Sequence, residues 1–223
     1  MAGWYDGTMM KKIMLLSFIA FVCSAGAGTV PGIVIKGGKT VGSGTFTDGK
    51  VGSKFVVAQK LKMQVPNKQP MIWQQMETYS LDGRPISHDE TYRGEGMSGE
   101  YSTFFHGRIA VDTLTAKGYA TQIKKVSAPA GISFNDPSRE WFVTVRPRLG
   151  TSFKFAKFEP VRSTWVVWTV KYVGPSKVKI GSKMYYCYLI TRSGSEGTGE
   201  LWIDSHGDLV KDIIGKYTYE RKG

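Results

Sequence analysis

Cysteine is scarce in this chain of 223 residues, which contains only Cys23 and Cys187. If the first 27 residues are removed, as argued below, Cys187 remains alone and no intrachain disulfide can form. This excludes the small secreted domains that rely on disulfides instead of a sizeable core. Cys187 lies in the apolar stretch Tyr185–Ile190, so we expect it to be buried as a small hydrophobic residue rather than to be a reactive thiol.

Long apolar runs are also missing. The longest one, Ile13–Val22, is shorter than the roughly 20 residues that a bilayer-spanning helix needs. It follows the basic pair Lys11-Lys12 and precedes the small residues Ala25-Gly26-Ala27, which is the pattern of a secretory signal peptide. We therefore predict that residues 1–27 are a signal peptide, cleaved after Ala27, and that the protein is periplasmic or secreted.

Two alternatives to simple cleavage stay open. An uncleaved segment would anchor the protein in a membrane. A lipid attached to Cys23 would tether it there, although Val22 is larger than the small residue that such a signal has before its cysteine. Residues 1–8 contribute nothing to a signal, and we expect translation to begin at Met9 or Met10.

Acidic residues are few, since the chain has 30 lysines and arginines against 18 aspartates and glutamates. Lys11, Lys12 and Asp6 lie in the predicted signal, so the mature chain keeps a net charge of +11. A basic protein is attracted to anionic partners such as a membrane surface. Most of the lysines, however, alternate with apolar residues, which is typical of the solvated face of a sheet. We expect no nucleic-acid partner, because the chain carries an export signal and no RNA-binding signature.

No strong phosphate-binding or metal-binding motif is present. Residues 44–50 match the start of a phosphate-binding loop, but Val51 stands where that motif needs serine or threonine, and a strand is predicted to follow. Asp204, His206 and Asp208 are close in sequence, yet they fit an acidic β-turn better than a calcium or zinc site. We predict no metal site and no cofactor.

An acid–base site is suggested by His88, Asp89 and Glu90 in the predicted strand Ile86–Arg93. Alternation along a strand places His88 and Glu90 on one face and Asp89 on the other. No partner carboxylate or nucleophile can be placed from the sequence, and acid–base catalysis needs such partners within hydrogen-bond reach. We therefore predict that the protein is not an enzyme, and a hydrolase ranks third among the functions considered.

Strand signals dominate the rest of the chain. Aromatic and β-branched residues recur in short runs separated by glycine, aspartate, asparagine and proline, which favours strands joined by tight turns. Leu81-Asp82-Gly83-Arg84-Pro85 predicts a hairpin turn, because Asp-Gly tolerates positive φ. The predicted strands are Ile33–Ile35, Phe55–Gln64, Pro70–Tyr79, Ile86–Arg93, Tyr101–Phe105, Arg108–Leu114, Tyr119–Val126, Thr164–Val173, Lys183–Arg192, Glu200–Asp204, Leu209–Ile214 and Tyr217–Tyr219.

These signals predict a mainly β fold, an antiparallel meander curved into a half barrel or open barrel with one or two short helices. Residues 28–223 would form a single exported domain, either continuous or as two meander halves joined near residues 127–162. Residues 136–146 fit a helix that begins at Asp136 or a strand, and the sequence leaves this open. The glycine-rich stretch 37–53 predicts a tight hairpin or a mobile arm.

Two of the predicted strands, Thr164–Val173 and Lys183–Arg192, are apolar on both faces. An antiparallel sheet usually has one solvated face. Both faces of these strands must therefore be covered, by a helix, by the sheet curling on itself or by an apolar ligand. If a ligand covers them, the candidate binding residues are Trp165, Trp168, Tyr185, Tyr186 and Tyr188.

The order of elements over residues 140–220 resembles a known group of exported proteins. Trp165–Gly174 ends on a glycine, and residues 178–183 make a turn into an aromatic strand. Leu201–Lys211 then combines a tryptophan, an acidic residue, a turn glycine and a strand that ends in a basic residue. This pattern is similar to that of the LolA/LolB-like superfamily, which includes periplasmic lipoprotein carriers. The resemblance implies a sheet curved into a half barrel around a short helical plug, with a hydrophobic concave face.

The first expectation for function is a non-enzymatic exported envelope protein that binds a lipid, a lipoprotein or another apolar ligand in the concave face of the sheet. The alternative is a structural or protein-interaction module with a filled core and no ligand. The expected partners are a lipid or lipoprotein and an anionic membrane surface. A wide apolar pocket would favour the first function, and a filled interior would favour the second.

Overall fold

The computed structural model describes residues 28–64, 67, 69–94, 96–135, 147–195 and 197–222. These residues contain fourteen strands, and the only helical element among them is the short 3₁₀ helix Pro160–Arg162. No helix in this part of the chain has the length and hydropathy needed to cross a membrane.

The strands follow one another along the chain with short connections. Their bounds are β1 (Gly28–Lys36), β2 (Lys39–Val51), β3 (Lys54–Met63), β4 (Met71–Ser80), β5 (Pro85–Gly94), β6 (Met97–His106), β7 (Ile109–Ala116), β8 (Gln122–Ser127), β9 (Ser152–Glu159), β10 (Thr164–Ile180), β11 (Lys183–Gly194), β12 (Gly197–Ile203), β13 (Leu209–Ile214) and β14 (Tyr217–Arg221).

Alternation of buried and exposed side chains determines which face of each strand points inward. In β4, every second residue is buried: Met71, Trp73, Gln75, Glu77 and Tyr79. The residues between them are exposed or half-buried. This period of two is what a strand with one covered face requires.

The hairpin predicted at residues 81–85 is confirmed, and it joins β4 to β5. Gly83 has a φ of 81°, and its amide donates a hydrogen bond to the carbonyl oxygen of Ser80 at 3.0 Å. A residue with a Cβ atom would be strained in that conformation, which is why glycine follows Asp82.

The glycine-rich stretch 37–53 contains tight hairpin turns at both ends, Gly37-Gly38 and Gly52-Ser53, so the hairpin expectation is confirmed there. The mobile arm is wrong, because the residues between the turns are strand β2, which pairs with β1 on one side and with β3 on the other. A Cβ atom at Gly44 would lie 2.2 Å from the carbonyl oxygen of Lys60 and 2.5 Å from Leu61 Cδ2. At Gly44, glycine permits a close approach between neighbouring strands rather than a turn.

All fourteen strands form one antiparallel sheet in the order β8-β7-β6-β5-β4-β3-β2-β1-β14-β13-β12-β11-β10-β9. The first strand pairs with the last, so that Val34 lies opposite Tyr219. The sheet therefore has an N-terminal arm, β1–β8, and a C-terminal arm, β9–β14, which extend outward from the β1–β14 pair. No strand pairing joins the two edges, β8 and β9, within the described ranges.

The two edges of the sheet overlap. Phe105 shares the inner face of β6 with the buried Thr103, and its ring packs against Phe158 and Trp165. These two residues are paired across β9 and β10, on the face opposite to the main core. Trp165 Nε1 also donates a hydrogen bond to the carbonyl oxygen of Val126 in β8, at 3.0 Å. The sheet is thus rolled with the edge of one arm inside the edge of the other, an open barrel-like spiral.

The connection after β8 helps to fill this overlap. The amide of Ala156 donates a hydrogen bond to the carbonyl oxygen of Ser133 at 2.7 Å. The guanidinium of Arg108 donates hydrogen bonds to the carbonyl oxygens of Pro129 and Ile132. These contacts hold residues 128–135 between β9 and the turn that joins β6 to β7, without adding a strand to the sheet.

The inner faces of both arms meet in one main hydrophobic core. Each large side chain in it contributes on the order of 1.5–3 kcal/mol by its removal from water. The largest apolar side chains that are almost fully buried are Trp73, Tyr219, Phe46, Phe155, Leu61 and Ile203.

A second, smaller cluster covers the outer face of the C-terminal arm. It consists of Tyr185, Cys187, Trp202 and Val210. Burial raises the pKa of the Cys187 thiol to about 11, so this cysteine is a buried hydrophobic residue, as the sequence predicts. Both faces of β11 are therefore covered near Cys187–Ile190, whereas Met184 and Tyr186 nearer the start of the strand are exposed.

The fold prediction is confirmed as a mainly β, antiparallel and barrel-like sheet that is not closed. The expected helices reduce to one 3₁₀ helix in the described residues. The predictions for residues 136–146 and for the signal peptide, residues 1–27, lie outside the described residues. Of the two strands expected to be covered on both faces, β10 is covered at Trp165 by the sheet curling on itself, one of the three options. The expectation is wrong for Tyr186 in β11, which is exposed.

Candidate functional site

The candidate site is a crevice in the overlap of the two arms. We call it the seam crevice, and its main lining residues are Glu77, His88, Phe105, Phe134, Phe158 and Trp165. Its volume is about 20 Å³, which holds about one water molecule. It is the place where aromatic side chains and buried charges from both arms come together.

One wall of the seam crevice is aromatic. The ring centroids of Phe158 and Trp165 are 5.4 Å apart, and those of Phe105 and Trp165 are 5.8 Å apart, both with edge-to-face geometry. Phe134 adds a third edge-to-face contact with Trp165 at 6.4 Å. Each such pair stabilises the folded protein by about 0.5–1.5 kcal/mol beyond the burial of its apolar surface. The aromatic wall therefore joins the two arms where no strand pairing does.

The opposite wall of the crevice contains a buried carboxylate, Glu77. Its Oε1 atom accepts a hydrogen bond from Gln75 Nε2 at 2.6 Å and lies 2.8 Å from Lys157 Nζ. Its Oε2 atom accepts a hydrogen bond from the Tyr79 hydroxyl at 2.7 Å. Burial alone would raise the pKa of Glu77, but the positive charges of Lys157 and His88 outweigh burial and lower it. Glu77 is therefore ionised at neutral pH.

His88 lies between two carboxylates. Its Nδ1 atom is 3.2 Å from Glu77 Oε1, and its Nε2 atom is 3.4 Å from Glu90 Oε2. Burial would lower the pKa of His88, but the hydrogen bonds and charges of Glu77 and Glu90 outweigh burial and raise it to about 9. Glu90 in turn accepts a hydrogen bond from Trp73 Nε1 at 2.6 Å. The prediction that His88 and Glu90 share one face is confirmed.

This arrangement is suited to structure rather than to catalysis. Since His88 is protonated at neutral pH and both its ring nitrogens face carboxylates, it has no free site to accept a proton from a substrate. In the part of the chain that the structure describes, no three or more histidine, cysteine, aspartate or glutamate side chains are grouped so as to hold a metal ion. The charges instead neutralise one another inside the core.

The five candidate ligand-binding residues do not line one pocket. Trp165 lines the seam crevice, and Trp168 is buried in the main core. Tyr188 packs against the edge of that core, whereas Tyr185 belongs to the second cluster on the outer face. Tyr186 is 71% exposed. Their ligand binding stays a prediction, and only Trp165 lies at the candidate site.

The other sequence motifs have structural roles. Asp204 Oδ1 accepts hydrogen bonds from the amides of His206 and Asp208 at 2.9 and 3.0 Å, which confirms the acidic turn. Residues 44–50 lie within β2, and the next element is strand β3 rather than a phosphate-binding helix. Neither motif forms part of the seam crevice.

Two residues of the site, Glu77 and Lys157, are not anticipated by the sequence reasoning. A signal for Glu77 is present, because alternation along β4 places it on the same face as Trp73 and Tyr79. An acidic residue among apolar positions of a strand indicates a buried partner. Which partner it has depends on pairing across strands, where Glu77 lies opposite His88.

Comparisons with known proteins support the fold. No family model matches the chain, and no curated protein matches it. A similar solved structure is the crystal structure of a β-barrel-like protein of a domain of unknown function, DUF1849, from Brucella abortus. The TM-score is 0.56 at 10% sequence identity, over 92% of this chain and 96% of that chain. At this identity the likeness concerns the fold alone, and the resemblance to LolA/LolB-like carriers stays a prediction.

Proposed function

We propose that this chain is an exported, non-enzymatic envelope protein with a structural interior, which acts through contacts on its surface. The observation that supports this is the small volume of the seam crevice, which is only about 20 Å³. Sites for small molecules usually measure on the order of 300–1,000 Å³. The proposal therefore takes the structural or protein-interaction module over the apolar carrier.

The larger depressions of the surface do not favour an apolar ligand either. One of about 590 Å³ lies on the outer face of β10–β13, and it is lined by polar residues such as Thr169, Thr191 and Glu200. An acyl chain gains little from contact with hydroxyl and charged groups, because its binding depends on the removal of apolar surface from water.

The test is an organic extraction of the protein purified from its native envelope, followed by mass spectrometry of the extract and of the intact chain. We expect no stoichiometric lipid and an intact mass that corresponds to residues 28–223. A stoichiometric lipid would overturn the filled-module proposal, and a chain that keeps residues 1–27 in the cytoplasmic fraction would overturn export.

A second candidate is an apolar-ligand carrier that binds at the seam crevice, in keeping with the LolA/LolB-like resemblance. The observation that favours it is the aromatic wall of Phe105, Phe134, Phe158 and Trp165, which lies in the overlap of the two arms, whose edges β8 and β9 are not paired in the described residues. If a lipid is extracted, Trp165→Ala should remove it, whereas Tyr186→Ser, at an exposed position, should leave it bound. Equal retention by both variants would exclude the crevice as the lipid site.

A further inference from the structure

The hairpin between β10 and β11 extends beyond the rest of the sheet. β9 pairs with β10 only as far as Lys171, and β12 pairs with β11 only from Tyr188 onward. Residues 176–187 therefore pair only with each other among the described strands, as a two-stranded projection that turns at residues 181–182. We call residues 176–187 the ribbon.

One face of the ribbon is fixed to the body of the protein. Tyr185 and Cys187 are buried in the second cluster against Trp202 and Val210. The Arg221 guanidinium also lies over the Tyr185 ring, 5.7 Å from its centroid. An isolated two-stranded hairpin is marginally stable in water. These contacts hold the ribbon in place, so its other face is presented without a cost for ordering it.

The other face of the ribbon is exposed and combines basic with apolar side chains. Lys177 lies opposite Tyr186, and Lys179 lies opposite Met184. Tyr186 is 71% exposed and Met184 is 48% exposed. Lys177 Nζ is 5.0 Å from the centroid of the Tyr186 ring, so the charge lies beside the aromatic surface.

The ribbon carries charge of one sign. Lys177, Lys179 and Lys183 lie within residues 176–187, and the same stretch contains no aspartate or glutamate. The nearest acidic turn, with Asp204, has its carboxylate paired with Arg221 Nη1 at 2.9 Å. The tip is therefore a local positive site on a protein that is basic throughout.

We infer that the exposed face of the ribbon contacts an anionic lipid surface. Tyrosine prefers the boundary between water and apolar phase, and lysine can place its charge among headgroups while its methylenes stay in apolar contact. Each lysine near an anionic bilayer adds attraction, and one apolar residue such as Met184 can enter the headgroup boundary. This contact goes beyond the proposed function, which names no surface and no partner.

The test measures co-sedimentation of the full chain with phosphatidylcholine vesicles and with vesicles that contain about one third phosphatidylglycerol. We expect binding to the anionic vesicles only, and a loss on addition of salt. Lys177→Glu/Lys179→Glu should weaken the binding by at least about tenfold, as expected for the loss of two lysine contacts.

The matched control is Lys60→Glu/Lys62→Glu, which makes the same change of charge at exposed positions of β3. We expect it to weaken binding by no more than about threefold, because these charges lie away from the lipid contact. All variants are purified from the envelope in the same way, so differences between variants report on the folded part. Equal losses in both charge variants would overturn the proposal.

A second variant, Tyr186→Ser, keeps all charges and changes one exposed side chain. We expect about threefold weaker binding to anionic vesicles and an unchanged urea midpoint, since little of Tyr186 is buried. Unchanged binding of this variant, or a wild-type chain that binds neither vesicle, would overturn the membrane contact. Neither outcome bears on export or on the filled interior, which the extraction tests separately.

Discussion

The inner faces of the two arms of the sheet differ in chemistry. The N-terminal arm buries a polar strip that crosses β2 to β7: Asp48, Gln59, Gln75, Glu77, His88, Glu90, Thr103 and Asp112. The inner face of the C-terminal arm is mostly aromatic and aliphatic, with one buried ion pair between Arg192 and Asp212. The N-terminal arm thus contains more carboxylates than it can neutralise by itself.

The C-terminal arm supplies partners for these carboxylates. Lys157 in β9 contacts Glu77 in β4, and the Ser163 hydroxyl, just before β10, donates a hydrogen bond to Asp112 in β7. Removing one partner of a buried ion pair costs far more than the pair contributes. The inner faces of the two arms are therefore complementary in charge, and the polar strip specifies how one arm overlaps the other.

The largest expected effect comes from Glu77→Leu. This change leaves the charges of Lys157 and His88 buried without their shared carboxylate, and we expect the free energy of unfolding to fall by about 4 kcal/mol in urea titrations. The double variant Glu77→Leu/Lys157→Met should recover at least half of that loss. If the free energy of unfolding of Glu77→Leu lies within about 1 kcal/mol of the wild-type value, the polar strip does not stabilise the overlap of the arms.

In the C-terminal arm, Leu201→Ala should lower the free energy of unfolding by about 3 kcal/mol, because it opens a cavity in the main core beside Ile190, its cross-strand partner. The loss should be the same at pH 6 and at pH 9, since no charge is changed. A loss that differs between the two pH values would show that the inner face of this arm also depends on buried charges near Leu201.

The third prediction concerns pH. Since the pKa of His88 is raised to about 9, its contribution to stability is present in full below pH 6.5 and is lost as the pH rises through 9. We expect the free energy of unfolding to fall by about 2 kcal/mol between pH 6.5 and pH 9.5. In His88→Gln this decline should be absent, and an equal decline in wild type and variant would contradict the assignment to His88.

The smallest effect is expected for two glutamines that face each other across β3 and β4. Gln59 is buried, and neither of its side-chain polar atoms has a hydrogen-bond partner in the described part of the chain, so Gln59→Leu should stabilise the protein by about 1 kcal/mol. Gln75→Leu should instead destabilise it by a similar amount, because Gln75 donates a hydrogen bond to Glu77. Calorimetry would measure the unfolding temperatures of both variants and test these opposite effects. Destabilisation by Gln59→Leu would indicate that a buried water bonds to the Gln59 amide.

Much of the fold can be predicted from the sequence because strands with one covered face alternate visibly. The hairpin at Asp82-Gly83 and the shared face of His88 and Glu90 follow from local rules alone. The full length of strand β10 is harder to predict. Val178 and Ile180 resemble the flank of a turn in the sequence, yet they belong to the ribbon. Local patterns show that a side chain is covered, but they do not show what covers it.

The site is harder to predict, because it depends on register and on long-range closure. Glu77 meets His88 through pairing across the β4–β5 hairpin, and a register shift near Tyr79 affects that alignment. Lys157 meets Glu77 only because the sheet rolls and brings β9 inside β6. The candidate ligand residues show the same limit, since Trp165 and Tyr185 belong to one apolar region in sequence but to separate clusters in space.

The pairing of β1 with β14 also governs the order in which the protein can fold. Hairpins within each arm are local and can form early, but the Tyr219 hydroxyl bonds to the carbonyl oxygen of Val30, 189 positions away in the sequence. Contacts between such distant positions form slowly, because the chain must lose much of its freedom before they stabilise it. The two arms thus stay unjoined until the last strand, β14, is available, so the complete barrel-like sheet cannot form before synthesis of the chain is almost finished.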